Sequence, residues 1–319
     1  MTQDANTSPL QVKFSFHPTF NVPTLQEAED FFERVFNQPS SLMVTVPKDR
    51  QLEPGQLPGY SKFVMIRDLL IDYVCPALHT RLYGKQIFPD VDVPVLMNIG
   101  WYSEDMTKTF RALRAAGIPL TNQIGEPAEG DEPPDVNQGG GGMKMFFTPP
   151  NQVGLRYQFL PVFPMPHDPR LDPRWTLPPV SDEDPLQVKH LSHHTILTDD
   201  AQRAVSFMRA LGGTVLHEGR DEQRGVSGPY VHLADAIYHY AKPDAGTEAA
   251  SALASKTPAD KYWAFTFNVV DLDRVADHLD KVGVKIQSRT ADTIVTDPNT
   301  SLQVPWGFTT ARVPGDTRD

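Results

Sequence analysis

Apolar positions fall on alternate residues in short runs, each run leads into a helical stretch, and the plan repeats. Phe14, Phe16, Phe20 and Val22 give a strand over 14–22 with one buried face, and a helix over 24–36 follows, opened by the capping box of Thr24 with Glu27. The runs 42–46, 62–67 and 69–74 predict three more strands, separated by the Pro/Gly stretch 53–59 and the Arg67-Asp68 turn. That is one βαβββ unit. A second is predicted from strand 95–101, helix 103–116 ending at Gly117, and strands 143–147 and 154–160. Its insertion, 126–142, is acidic, contains proline and ends in Gly139-Gly140-Gly141-Gly142. It reads as a loop: no strand enters it and no Lys-Ser/Thr pair follows, as a phosphate-cradling loop requires.

The second half repeats this plan with strand 191–198, helix 200–210 and strands 214–218, 229–234 and 236–241. Strand 262–269, helix 271–282 and strands 284–287, 291–296 and 301–305 then complete it. His17-x-Thr19 recurs as His193-x-Thr195, about 176 residues later, and Phe31 recurs as Phe207, which points to an internal duplication. Between the halves, prolines at 161, 164, 166, 169, 173, 178, 179 and 185 disfavour helix and central strand alike. The expected division is an N-terminal domain over 12–160, a Pro-rich linker over 161–187 and a C-terminal domain over 188–308.

A length of 319 residues agrees with two domains. With 29 Lys plus Arg against 40 Asp plus Glu, the net charge of −11 leaves no basic stripe for phosphates, so a nucleic-acid partner is not expected. The lone Cys75 excludes an intramolecular disulfide; a buried, inert thiol is the simpler reading of it. The polar start carries no apolar signal region and no 18-residue apolar run follows, so the expectation is a cytoplasmic protein without a membrane partner. Nucleophile-elbow, Walker, H-E-x-x-H, C-x-x-C and strand-linked dinucleotide motifs are all absent.

The segments His193-His194-Thr195-Ile196-Leu197 with Phe207 and Leu211-Gly212-Gly213, then Tyr230 to Ile237, then 267–284 ahead of Asp297-Pro298-Asn299, resemble the vicinal oxygen chelate superfamily. Glyoxalase I, methylmalonyl-CoA epimerase, fosfomycin-resistance proteins and extradiol dioxygenases belong to it. The resemblance covers about 14–306. It implies an α+β fold of two domains, each of two βαβββ units forming a cup-shaped mixed sheet. It also implies a divalent metal (Fe, Mn, Zn or Ni) held inside a cup by ligands from the first and last strands of the units.

Position by position, the resemblance places His17 and Asp72 in the first unit, Asn98 and Gln158 (or Arg156) in the second, His193 and His239 in the third, and Ala264 and Val304 in the fourth. The C-terminal cup thus offers two ligands where an extradiol site needs His, His and Glu, which disfavours iron-dependent ring cleavage by the usual set. The N-terminal set His17, Asp72 and Gln158 would hold a metal loosely, or serve without one. Asp72, in the apolar run LLIDYV, is the sharpest signal, because a buried carboxylate needs a partner. His17, His193 and His239 equally suit hydrogen-bonded core histidines. His194, on the opposite face of its strand, is expected to face solvent or the other domain. Asn98, Arg156, Gln158, Trp101, Tyr102 and Trp263 are candidate substrate contacts, Arg156 to an anion.

The expected activity is isomerase, lyase or altered ring-cleaving dioxygenase chemistry on a small hydrophobic or aromatic oxygenated substrate, by stabilising an oxyanion or enolate. A non-catalytic protein that sequesters a hydrophobic molecule is the alternative, and pairing of chains into a homo-oligomer stays open.

Overall fold

The computed structural model describes residues 9–44, 51–136, 143–163, 165–255 and 259–318; the Gly139–Gly142 tract lies outside them. The first half contains β1 (Phe14–Asn21), α1 (Leu25–Phe36), β2 (Ser40–Met43), β3 (Ser61–Ile66), β4 (Leu69–Val74), α2 (Pro76–Tyr83) and β5 (Val95–Ser103). It continues with α3 (Met106–Ala115), β6 (Phe146–Phe147), α4 (Pro150–Val153) and β7 (Tyr157–Pro161). Its sheet runs β2-β3-β4-β1-β5-β7-β6. The second half contains β8 (Val188–Leu197), α5 (Ala201–Ala210), β9 (Thr214–Asp221), β10 (Val226–Leu233), β11 (Ala236–Pro243) and α6 (Glu248–Ala254). Then come β12 (Lys261–Val269), α7 (Leu272–Lys281), β13 (Ile286–Arg289), β14 (Thr293–Thr296) and β15 (Gly307–Thr309), in a sheet ordered β13-β14-β15-β12-β8-β11-β10-β9.

The two sheets share one plan. The leading strand of each half sits at the centre, parallel to the last strand of its own unit and antiparallel to the leading strand of the next: β1 lies between β4 and β5, and β8 between β11 and β12. Unit two is the short one: only β6 and β7 close it as strands, with Thr121 bridging to Phe147 in place of a third.

Helix α1 forms because Thr24 Oγ1 accepts the Glu27 N–H at 3.3 Å and because Leu25, Ala28, Phe31, Phe32, Val35 and Phe36 make one buried stripe. The chain leaves it through Asn37 in the left-handed region, φ 52°. Phe32 packs on Tyr73 of its own sheet, whereas Phe36 meets Phe267 and Trp306 of the other half at 5.7 and 5.3 Å. In the same way Phe207 of α5 stacks on Tyr157 of β7 at 4.6 Å. Each half's leading helix is therefore seated against both sheets, and one apolar cluster spans the halves. Two buried hydrogen bonds cross it: Trp101 Nε1 donates to Tyr238 Oη, and the hydroxyls of Tyr157 and Tyr240 pair, both at 2.8 Å.

The proline-rich stretch after β7 is pinned rather than free. Buried Arg170 pairs with Asp168 at 2.8 Å and donates to the carbonyls of Asp68 and Phe16 at 2.9 and 2.7 Å. Sequence and structure part at several elements, among them the short helices α4 and α6, neither of which was expected. Helix α2 was not expected; Pro76 at its first position starts it and Gly84 ends it. The strand expected over 301–305 is instead a turn, with Leu302 and Gln303 left-handed (φ 56° and 59°), and the strand begins at Gly307. The cause is Asp297, which accepts the Asn299 N–H and opens a short 3-10 turn through Pro298–Thr300.

Candidate functional site: two cups of one register

Period-two geometry puts His17, Thr19 and Asn21 of β1 on the concave face of the N-terminal sheet. Pairing fixes what surrounds them: Thr19 lies opposite Asp72 on one side and Asn98 on the other, while Gly100, opposite His17, lies opposite Gln158. These residues and Arg156 line one cavity of about 380 Å³. Its walls are apolar: Phe16, Phe63, Phe88, Phe147 and Phe163, with Met43, Met97, Met143, Met145 and Met165. Phe163 and Met165 come from the segment joining the halves, so that segment closes the cup, a role its proline content does not reveal.

Inside, His17 Nε2 stands 4.0 Å from Asp72 Oδ2, and His17 Nδ1 lies 3.4 Å from Thr19 Oγ1. Asp72 Oδ1 is buried with no hydrogen-bond partner. Burial pushes the Asp72 carboxyl up to about 7 against a weaker hydrogen-bonding pull from Ser61. Burial also lowers His17 to about 3; the Pro18 backbone opposes this and Arg170 reinforces it. Near neutrality the imidazole is therefore uncharged and the carboxyl is within its titration range. Gln158 Nε2 reaches Met145 Sδ at 3.2 Å, with its side chain lying over Gly100.

The C-terminal cup has the same strand register. His239 lies beside Thr195 as Asp72 lies beside Thr19, and Ala264 opposes Thr195 as Asn98 opposes Thr19. Thr266 faces both His193 and Gly307, the place of Gly100 between His17 and Gln158. The last-strand position of the fourth unit is thus Gly307, not Val304, which is buried in the core ahead of β15. The two differ because residues 301–305, expected as strand, form the turn.

A guanidinium lies beside these positions. Arg224, its side chain 2% exposed, pairs with Asp221 at 2.8 Å and donates to Pro305 O at 2.7 Å and Thr266 Oγ1 at 3.2 Å. A Cβ at Gly307 would come within 2.6 Å of both Arg224 Nη2 and Thr266 Oγ1, so a side chain there has to displace one of them. His193, Arg224, Thr266 and Tyr230 together line a cavity of about 440 Å³, with His193 Nδ1 3.1 Å from Ser192 Oγ, while His239 lies behind Tyr230, stacked at 4.0 Å. Both imidazoles are driven down, first by burial; His239 and Arg224 add to this at His193, and at His239 Asp221 opposes it and Arg224 adds.

The other candidates lie elsewhere. Trp101 and Tyr102 are fully buried, Trp101 in the shared core and Tyr102 behind the cup wall against Phe16 at 4.4 Å. Trp263 packs with Leu197, Val226 and Ala249 under α6; none of the three lines either cup. His194 is buried, with Nδ1 2.6 Å from Tyr262 Oη and its ring stacked on Tyr238. Cys75 is buried, its thiol directed at Pro23 O.

The divalent metal that the fold implies does not fit the C-terminal cup, where two of four donor positions are Ala264 and Gly307 and a fixed positive charge stands between the strands. In the N-terminal cup His17 and Asp72, whose Oδ1 has no hydrogen-bond partner, are suitable donors and the Gln158 amide oxygen is a third, a set that fits loosely. Among the described residues no group of three His, Cys, Asp or Glu side chains is placed to hold a metal.

Residues 187–300 match the family described as the Glyoxalase/Bleomycin resistance protein/Dioxygenase superfamily. The first half repeats the strand plan of the matched half, so the chain folds as two vicinal-oxygen-chelate-like domains. No curated protein matches the chain in sequence. Among solved structures it is similar to a triple variant of 4-hydroxymandelate synthase from Streptomyces coelicolor, with 12% identity, 96% of each chain covered and a TM-score of 0.60. It is also similar to a Mn(II)-bound glyoxalase from Novosphingobium aromaticivorans, 15% identical over 97% of this chain and 86% of that one, TM-score 0.55. A catechol 2,3-dioxygenase is 13% identical over 97% and 91%, TM-score 0.50. At these identities the likeness is one of fold.

Proposed function

We propose that the N-terminal cup is the working site and that it moves a proton on a small hydrophobic or aromatic oxygenated substrate, as an isomerase or lyase does. The observation that carries this reading is the convergence of His17, Asp72, Asn98 and Gln158 on one aromatic-lined cavity, with a carboxyl poised near neutrality. Asp72, the more basic of the pair, takes a proton from the carbon next to a carbonyl; the electron pair moves onto the carbonyl oxygen. The amide N–H groups of Asn98 and Gln158 meet that oxyanion. Neutral His17 fixes the carboxyl and, with it, returns the proton to the same or the neighbouring carbon. A divalent ion held by His17, Asp72 and the Gln158 amide oxygen would supply positive charge at the oxyanion.

The test is deuterium incorporation from D2O into a panel of aryl ketones, aldehydes and hydroxyketones, followed by NMR, with elemental analysis of the same samples. Asp72→Asn and His17→Ala are expected to slow exchange by about 100-fold or more, the usual share of general acid–base catalysis, while His193→Ala leaves it intact. Loss in His193→Ala alone would move the site to the other cup, and iron lost only in His17→Ala would direct the reading to ring cleavage. A second reading, sequestration, draws on the five methionines in the wall, an adaptable lining for varied hydrophobic ligands. Tight binding that survives both His17→Ala and Asp72→Asn, with no exchange on any compound, would favour it.

A further inference from the structure

Behind the cup lies a second cavity of about 520 Å³, lined by Lys85, Thr121, Thr148, Asn151 and their neighbours. The two cavities share Ile87, Gln123 and Arg156 as a common wall. Arg156 is held there from two sides: its guanidinium lies over the Phe147 ring at 4.1 Å, and Nη2 donates to the Gln123 carbonyl. Among the described residues no carboxylate pairs with it, and no Asp or Glu lines the outer chamber. Burial alone lowers it, to about 10, with no acid compensating. A guanidinium taken largely out of water without a counter-ion, in a protein of net charge −11, lacks the partner that such burial normally requires.

We propose that Arg156 is an oxyanion receptor at the end of the cup, and that the ligand of this protein is an elongated molecule with an apolar or aromatic head in the cup and a carboxylate or phosphate at Arg156, where the two cavities meet. This deepens the proposed function and rests on it for the placement of the head. A planar guanidinium fixed by stacking presents its free N–H groups in the fork that matches either oxyanion. The ring-lined cup beyond it takes the apolar part.

The test is calorimetric binding of phenylacetate, phenylpropionate, phenylbutyrate and phenylvalerate beside their primary amides, with phenyl phosphate and inorganic phosphate as separate arms. Wild-type protein is expected to bind the longer acids about tenfold or more tightly than their amides, as a charge-assisted hydrogen bond gives. Arg156→Met abolishes that ratio and leaves amide affinity in place; Arg156→Lys, which keeps the charge, retains part of it. A purely structural arginine would lower acids and amides together, so an unchanged ratio in Arg156→Met overturns the proposal. So does a wild-type protein that binds acids no better than amides, or binds no anion. Phosphates preferred over carboxylates, with the same dependence on Arg156, assign the anion to the phosphate class. The two readings fail separately: if His17→Phe leaves amide binding untouched while the Arg156 ratio persists, the cup reading fails and the anion receptor stands.

Discussion

Asp72 joins chemistry to stability in one side chain. Its carboxyl titrates at about 7 in the folded chain against an ordinary 3.8, so the folded state holds the proton more tightly than the unfolded chain does. Stability is greatest below the unfolded value and is lost as pH rises from about 4 through 7. Asp72→Asn removes that loss. Urea denaturation is expected to show the variant equal to wild type near pH 4 and roughly 2–4 kcal/mol more stable at pH 8, since each tenfold difference in proton affinity between the folded and unfolded chain is worth about 1.4 kcal/mol. Equal stabilities at both pH values would mean that the carboxylate is solvated in the folded chain. Asp72 was legible because a single charge interrupts an apolar strand. Arg224 was not: in Glu222-Gln223-Arg224-Gly225 it has the composition of an exposed hairpin turn, and only the bond from its backbone N–H to Asp221 Oδ1 and the pairing of their side chains turn it inward. Trp101 and Trp263 show the converse, since an aromatic residue on a strand reads the same whether it faces a cup or a core.

Among elements, most helices and strands could be read from periodicity and caps, and the duplicated leading strands gave the register of each cup. The tail of the fourth unit could not, because Ser301-Leu302-Gln303-Val304 alternates like a strand while Asp297 and two left-handed residues fold it into a turn. The correct register makes Gly307 and Arg224 a coupled pair. Gly307→Ala is expected to destabilise by about 1–3 kcal/mol through overpacking against the guanidinium and Thr266. Arg224→Met should cost about 3–5 kcal/mol, because Asp221 is left largely buried without its cation. Combined, the two should cost less than their sum, since the methyl then has room; a double-mutant cycle in guanidinium chloride measures this, and strict additivity would separate the two positions.

For the whole molecule, the halves were visible in the sequence as a repeat, but their union was not, because apolar residues do not announce which surface they cover. Phe36 against Trp306 and Phe207 against Tyr157 tie each leading helix to the opposite sheet. The chain is therefore expected to unfold in one calorimetric transition, with calorimetric and van't Hoff enthalpies in agreement; two resolved transitions would show the halves to be independent. Tyr238→Phe, which leaves the buried Trp101 indole N–H without an acceptor, should lower stability by about 1–3 kcal/mol without splitting the transition.

The Gly307–Arg224 pair also sets a barrier to placing a metal donor in the second cup. A metal donor placed at 307 collides with the guanidinium, and removing the guanidinium first strands Asp221. Either first step toward a metal centre therefore passes through a less stable chain. Two residues on different hairpins, and Ala264 besides, would have to change together before this cup could take a metal donor at 307.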